Sequence, residues 1–235
     1  MSPVAIILGI IIVVLIYVLY KYFTTSTATL GSLVDLSKTN SNTAFTKKED
    51  LKDPTTTRYS YGLWLYIDTW NSDSGKTIFY RKASISTDTN PVYDIRLYLE
   101  TSSPTLKCSF YTTTTDTSKT ETITITTNFP IQKWVYITVS VDNKIIDCYI
   151  DGKLVTSQQL KGNLQSQTNS DIYVGNFNAH LAKFQRTNAP TDPQTVWSNY
   201  SAGNGGNSLK KMFSSYGVDV SFKKDNIEQQ KFSII

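Results

Sequence analysis

The chain has 235 residues, with 23 Lys and Arg against 19 Asp and Glu, a formal net charge of +4. That excess is mild, and its longest basic clusters are the pairs Lys47-Lys48, Lys210-Lys211 and Lys223-Lys224, so it does not call for nucleic acid as a partner. With an apolar N-terminal segment set aside, about 180 residues remain, enough for one domain with a real core but not for a second of similar size.

Residues 3–20 contain no charged side chain. As a helix they span about 27 Å, close to the hydrocarbon thickness of a bilayer. Helix is the conformation lipid demands, because backbone polar groups find no water there. Ile6, Ile10 and Val14 form the body of this expected anchor. Tyr17, Tyr20 and Lys21 form its interfacial end, where aromatic rings and a snorkelling lysine meet the headgroups. A cleaved signal peptide wants a basic start and a shorter apolar core, whereas only Met1 and Ser2 precede this segment. A transmembrane anchor over residues 1–23 is therefore predicted. Lys21 and Lys47-Lys48 follow the helix and no charged side chain precedes it, which favours the large domain on the cytosolic side. The single sequon, Asn199-Tyr200-Ser201, points the other way if it is used.

Residues 24–57 are rich in Thr, Ser, Asn and Lys and read as a partly ordered stalk. From Tyr59 the period changes to two, and strands are predicted over residues 59–67, 77–81, 93–99, 106–111, 120–126, 134–141, 145–150, 171–175 and 181–185. Asp142-Asn143 and Asp151-Gly152 supply turns, the latter suited to a tight hairpin. One short helix is predicted, with Asp192 as cap, Pro193 in its first position, an apolar face of Val196, Trp197 and Tyr200, and Gly203 at its end. Beyond a Gly/Asn-rich hinge, residues 209–216 read as a helical turn, and residues 218–222 and 232–235 as a closing hairpin turned at Asp225-Asn226. The result is an all-β sandwich or jelly roll over residues 58–203, with residues 204–235 as hinge and tail. Cys108 and Cys148 share parity with apolar neighbours, which makes them buried thiols by default; a disulfide stays open if their strands are adjacent.

Several of these segments carry a family pattern: Trp134-Val-Tyr-Ile-Thr-Val-Ser-Val141, Cys148-Tyr-Ile-Asp-Gly-Lys-Leu-Val155, Asp171-Ile-Tyr-Val-Gly-Asn176, Leu181-Ala-Lys-Phe184 and the helix from Asp192. Together with Ser60-Tyr-Gly-Leu-Trp-Leu-Tyr-Ile67, they resemble the laminin G-like, concanavalin A-like lectin/glucanase superfamily over most of residues 59–203. The resemblance implies a concanavalin A-like jelly roll and says little about the ligand. The arrangement of bare anchor, Thr/Asn-rich stretch, sandwich and the tail Tyr216-Gly-Val-Asp-Val-Ser-Phe222 also resembles virion proteins of large DNA viruses of algae and protists. That second resemblance implies a place between an internal membrane and a capsid.

Catalytic chemistry is poorly provided for. Glucanases of the superfamily set paired carboxylates on one strand, and no Glu-x-Asp-x-(x)-Glu occurs here; the four glutamates, Glu49, Glu100, Glu121 and Glu228, are far apart in sequence. His180 is the only histidine, there is no Gly-x-Ser-x-Gly elbow, and no zinc-ligand set or phosphate-binding glycine loop is present. Calcium is compatible with the superfamily, with Asp88, Asp116 and Asp171 in or near loops, but no motif supports it and turn-forming aspartates are the simpler reading. No cofactor is expected. Tyr66, Tyr80, Tyr98 and Tyr111 point outward by alternation and are the candidates for stacking on a glycan or a protein partner, with cross-strand packing as their competing role. The function expected is non-enzymatic: a single-pass membrane protein that docks on capsid or other virion proteins, or, alternatively, a membrane-bound carbohydrate-binding attachment protein.

Overall fold

The computed structural model describes residues 3–24, 27–87, 91–113, 118–165, 170–205, 218–224 and 227–234. Asp88, Asp116, the expected helical turn over residues 209–216 and the turn at Asp225-Asn226 lie outside the described residues. Helix α1 (Pro3–Thr24) is followed by β1 (Thr27–Asp35). One six-stranded antiparallel sheet has the order β1-β12-β2-β7-β8-β9. Its other members are β2 (Arg58–Ile67), β7 (Val135–Asp142), β8 (Ile145–Ile150), β9 (Lys153–Gln159) and β12 (Ala179–Thr187). The facing sheet contains β3 (Lys76–Lys82), β4 (Tyr93–Leu99), β5 (Leu106–Thr113), β6 (Ser118–Thr126), β10 (Asn163–Leu164) and β11 (Ile172–Val174). Its order is β10-β5-β4-β3-β11, with β6 also paired to β5.

The core follows from alternation. Along β2, Tyr59, Tyr61, Leu63, Leu65 and Ile67 enter the space between the sheets, while Ser60, Gly62 and Trp64 face the other way. Across the gap Tyr61 meets Phe79 at 4.7 Å between ring centroids, and Phe79 meets Phe184 at 5.1 Å. Cys108 on β5 and Cys148 on β8 are buried in this core as free thiols on opposite sheets. The β8–β9 hairpin turns at Asp151 (φ 48) and Gly152 (φ 80), the two positive φ angles a two-residue turn of this hand requires. Glycine is needed at 152 for a second reason: a Cβ there would lie 2.7 Å from the Trp197 ring. Helix α2 (Pro193–Ser201) begins as its sequence predicts, with the Asp192 carboxylate accepting from the Thr195 N–H at 3.0 Å.

Residues 27–57 are not a stalk. β1 pairs antiparallel with β12 from Thr27 opposite Thr187 to Asp35 opposite His180, and so forms an edge of the sandwich. Leu36 and Leu51 are buried, and Phe45 stacks on Phe184 at 6.2 Å. Two buried arginines hold the rest. Arg186 donates to the carbonyls of Lys52 (2.8 Å) and Asp53 (3.0 Å), and Arg81 to those of Pro54 (3.0 Å) and Ser170 (2.8 Å). The sequence hides this because β1 is a polar edge strand whose register shifts between Thr29 and Gly31, which breaks the alternation.

At the C-terminus β13 (Val218–Lys224) and β14 (Ile227–Ile234) form a separate two-stranded sheet, with longer arms than the expected strands over 218–222 and 232–235. The transmembrane anchor expected over residues 1–23 is not shown: among the described residues no helix is long and apolar enough to cross a membrane. Along α1, Ile10, Val14 and Tyr17 are each more than half exposed, and the helical backbone also passes through Ile6, Tyr20 and Lys21.

Candidate binding surfaces

The outward residues of β11, β3 and β4 make one aromatic and cationic face. In register, Tyr173 lies beside Tyr80 and Tyr80 beside Arg96. Tyr80 stacks on Tyr173, with centroids 5.1 Å apart and planes 11° apart, and meets Tyr93 edge-on at 5.1 Å. Arg96 lies over Tyr98 (4.5 Å) and Tyr93 (5.2 Å) and donates to the Thr77 hydroxyl at 2.7 Å. Lys82 sits 5.4 Å from the Tyr173 ring centroid. A depression of about 570 Å³, lined by Asn42, Tyr80, Lys82 and Tyr93 among others, opens here.

Three of the four candidate tyrosines, Tyr80, Tyr98 and Tyr111, fall on this sheet, but the structure separates their roles. Tyr80 is only 9% exposed, and its hydroxyl donates to the Ser41 carbonyl at 2.7 Å. Burial pushes its pKa up to about 12. Tyr111 is also 9% exposed and lines a small recess with Thr57 and Asp94. Both are therefore packing residues, and Tyr98 is the one left partly exposed beside Arg96. Tyr93 and Tyr173 supply ring surface that sequence reasoning missed. The signal for Tyr173 was present, because it alternates with the buried Ile172 and Val174. Tyr93 shares parity with the buried Ile95, and a register shift between Arg81 and Lys82 sets it opposite Lys82.

Tyr66 belongs elsewhere. It lies on the first sheet at the end away from Thr27, 5.5 Å from Trp134 and 6.5 Å from the His180 ring. His180 Nε2 is 3.1 Å from Asp68 Oδ2.

Beneath α2, Trp64, Tyr136, Tyr149 and Ala182 on the outer face of the first sheet form a second cluster with Val196 of the helix. Two hollows of about 310 and 330 Å³ open beside it and share Tyr136, Gln185 and Asn199. Burial raises the Tyr136 pKa above its ordinary value. Asn199, the sequon residue, is half-buried and lines both hollows.

Three carboxylates that sequence reasoning weighed, Glu100 and Glu121 for acid–base work and Asp171 for calcium, are tied into the structure. Glu100 pairs with Lys107 and accepts from the Ser103 hydroxyl at 3.1 Å. Glu121 accepts from the N–H groups of Lys161 (2.8 Å) and Gly162 (2.7 Å) and from the Thr112 hydroxyl (2.7 Å). Asp171 accepts from the Lys48 N–H at 2.9 Å. Among the described residues no group of three or more His, Cys, Asp or Glu could hold a metal ion.

Two facing antiparallel sheets with one short capped helix match a known family. The model of the laminin G type, described as the concanavalin A-like lectin/glucanases superfamily, matches residues 37–202. The chain belongs to this superfamily. No curated protein matches it. Among solved structures, the botulinum neurotoxin serotype D binding domain superposes with a TM-score of 0.50 at 12% identity, over 75% of this chain and 42% of that one. The serotype G binding domain does so with a TM-score of 0.47 at 17% identity, over 63% of this chain and 37% of that one. This superfamily member therefore spans less than half the length of those chains, and at such identities the likeness concerns the fold alone.

Proposed function

We propose that the chain is a non-catalytic binding module held at a membrane, with α1 in the bilayer and the β11-β3-β4 face turned to a protein partner. The observation that carries the reading is the cluster of Tyr173, Tyr93, Arg96 and Tyr98, backed by the buried Tyr80 ring, with Arg96 and Lys82 resting over ring faces. Tyr and Arg are the side chains on which protein interfaces concentrate their binding energy. Held against one another, as here, they lose little freedom on binding. The run of exposed apolar residues on α1 and the aromatic and basic residues that end it support lipid as the other partner.

The finer placement we propose is a virion of a large DNA virus, where the protein links an internal membrane to the capsid shell. The order of anchor, sandwich and C-terminal hairpin supports it. Cross-linking mass spectrometry of purified particles and of host membranes tests both levels. Cross-links from Lys82 and Lys107 to a capsid protein are expected; absence of the protein from particles removes the virion placement, and cross-links confined to other faces remove the proposed binding face.

A second reading, a membrane-bound carbohydrate-binding attachment protein, is favoured by the partly exposed rings of Tyr98 and Tyr173 and by Trp197, which is 50% exposed. A glycan array probed with the sandwich decides it, and a flat array removes it.

A further inference from the structure

Very little chain joins α1 to the sandwich. α1 ends at Thr24 and β1 begins at Thr27. Their Cα atoms can therefore be no more than about 11 Å apart even when the chain is fully extended. β1 is fastened at its first residue, where Thr27 pairs with Thr187 and the two hydroxyls hydrogen-bond at 2.9 Å. With α1 in the bilayer, the reading on which this inference rests, Tyr20 and Lys21 lie at the headgroups. Thr24 is then about 6 Å beyond Tyr20 along the helix. That is comparable to the headgroup layer, roughly 5–8 Å on each side.

The strand register fixes which end of the sandwich is near the lipid. Thr27 lies level with Thr187, Ser60 and Ser140 across the sheet. The β7–β8 turn extends two residues past that row, with Arg58 opposite Asp142 and Asp142 opposite Ile145. Two residues of strand bring it back by about 7 Å toward the side from which α1 enters. Ile145, at that turn, is 51% exposed. On the facing sheet β3 finishes at the same end, because Arg81 reaches the Pro54 carbonyl just ahead of β2. The turn after β3 carries Ile85, 55% exposed. Two exposed isoleucines thus lie at the end that the short link holds to the membrane.

We infer that the end of the sandwich bearing Ile85 and Ile145 rests on the headgroup layer of the bilayer that holds α1. The domain stands end-on on the membrane. Its opposite rim, with Asp35, Tyr66, Trp134 and His180, points away from the lipid by the nine-residue length of β1, about 30 Å. The β11-β3-β4 face then stands upright, open to a partner from the side.

The experiment uses the full chain in phosphatidylcholine liposomes containing a nitroxide-labelled lipid. A fluorophore is attached in turn at Ile85→Cys, Ile145→Cys and Leu33→Cys; the buried native thiols do not compete. Leu33 is six residues along β1 from Thr27, about 20 Å further from the lipid. Labels at 85 and 145 should be quenched at least twofold more than the label at 33. Equal quenching at all three, in a chain that resists alkaline extraction, overturns the end-on placement and leaves the anchor standing. Release of the chain by alkaline extraction overturns both.

Discussion

Replacing Arg186 by methionine tests how residues 51–57 are held to the sandwich. Arg186 is 2% exposed, and its guanidinium donates to the Lys52 and Asp53 carbonyls and lies 5.7 Å from the Tyr59 ring centroid. Arg186→Met keeps most of the stem and removes two charge-assisted hydrogen bonds, each worth about 1.5–3 kcal/mol. Against this, methionine does not incur the desolvation of a buried cation, itself several kcal/mol. Lys52 and Asp53 are exposed residues, so their carbonyls regain water when released. The opposing effects leave a net loss of about 1–2 kcal/mol, or about 2–8 °C in Tm for a domain of this size. Arg186→Ala also loses the stem and opens a cavity, for a total of about 3–5 kcal/mol. The decisive readout is local: hydrogen exchange over residues 48–57 should accelerate in Arg186→Met while β2 and β7 keep their protection. Unchanged exchange in that segment together with an unchanged Tm would refute the clamp.

Other consequences follow from the same structure. A Cβ at Gly175 would lie 1.8 Å from the Thr77 carbonyl oxygen, so Gly175→Ala forces a backbone shift; a loss of about 3 kcal/mol or more is expected in urea unfolding, and a loss below 1 kcal/mol (~) would contradict the packing described. Burial pushes the Cys108 thiol well up and the Cys148 thiol to about 12, so a thiol reagent at pH 8 should label neither in the folded protein and both once it is unfolded. Burial raises the Glu121 carboxyl, but hydrogen bonds from Lys161, Gly162 and Thr112 outweigh it and leave the pKa below its ordinary value. A depressed folded-state value means that the ionised group stabilises the fold above the unfolded pKa, about 4.3, and that this contribution is lost as pH falls through the folded value. The urea midpoint should therefore drop below about pH 4.3, and Glu121→Gln, weaker at pH 7, should lose less on acidification; parallel pH profiles would count against this assignment.

Much of the sandwich is legible in the sequence because its central strands alternate strictly and its turns carry residues with one physical reason to be there. Asp151-Gly152 provides the positive φ pair, and Asp192-Pro193 starts the helix. The failures share a cause. Alternation reports which face of a sheet a residue occupies, not which loops later cross that face. Tyr80 and Tyr111 do point outward, but the segment bearing Ser41 covers the first and neighbours including Thr57 and Leu164 cover the second. β1 escapes the same reading because an edge strand has little need of apolar residues and its register breaks before Gly31. The buried arginines that bind residues 51–57 reach carbonyls, and carbonyls leave no mark in sequence.

Flotation through a sucrose gradient, with phosphatidylcholine liposomes at neutral pH and high salt, compares the full chain with a fragment of residues 27–205. On the proposed reading, in which α1 anchors the module, the full chain should rise with the vesicles and the fragment should stay at the bottom. A full chain that remains at the bottom, or a fragment that floats equally well, would contradict the account.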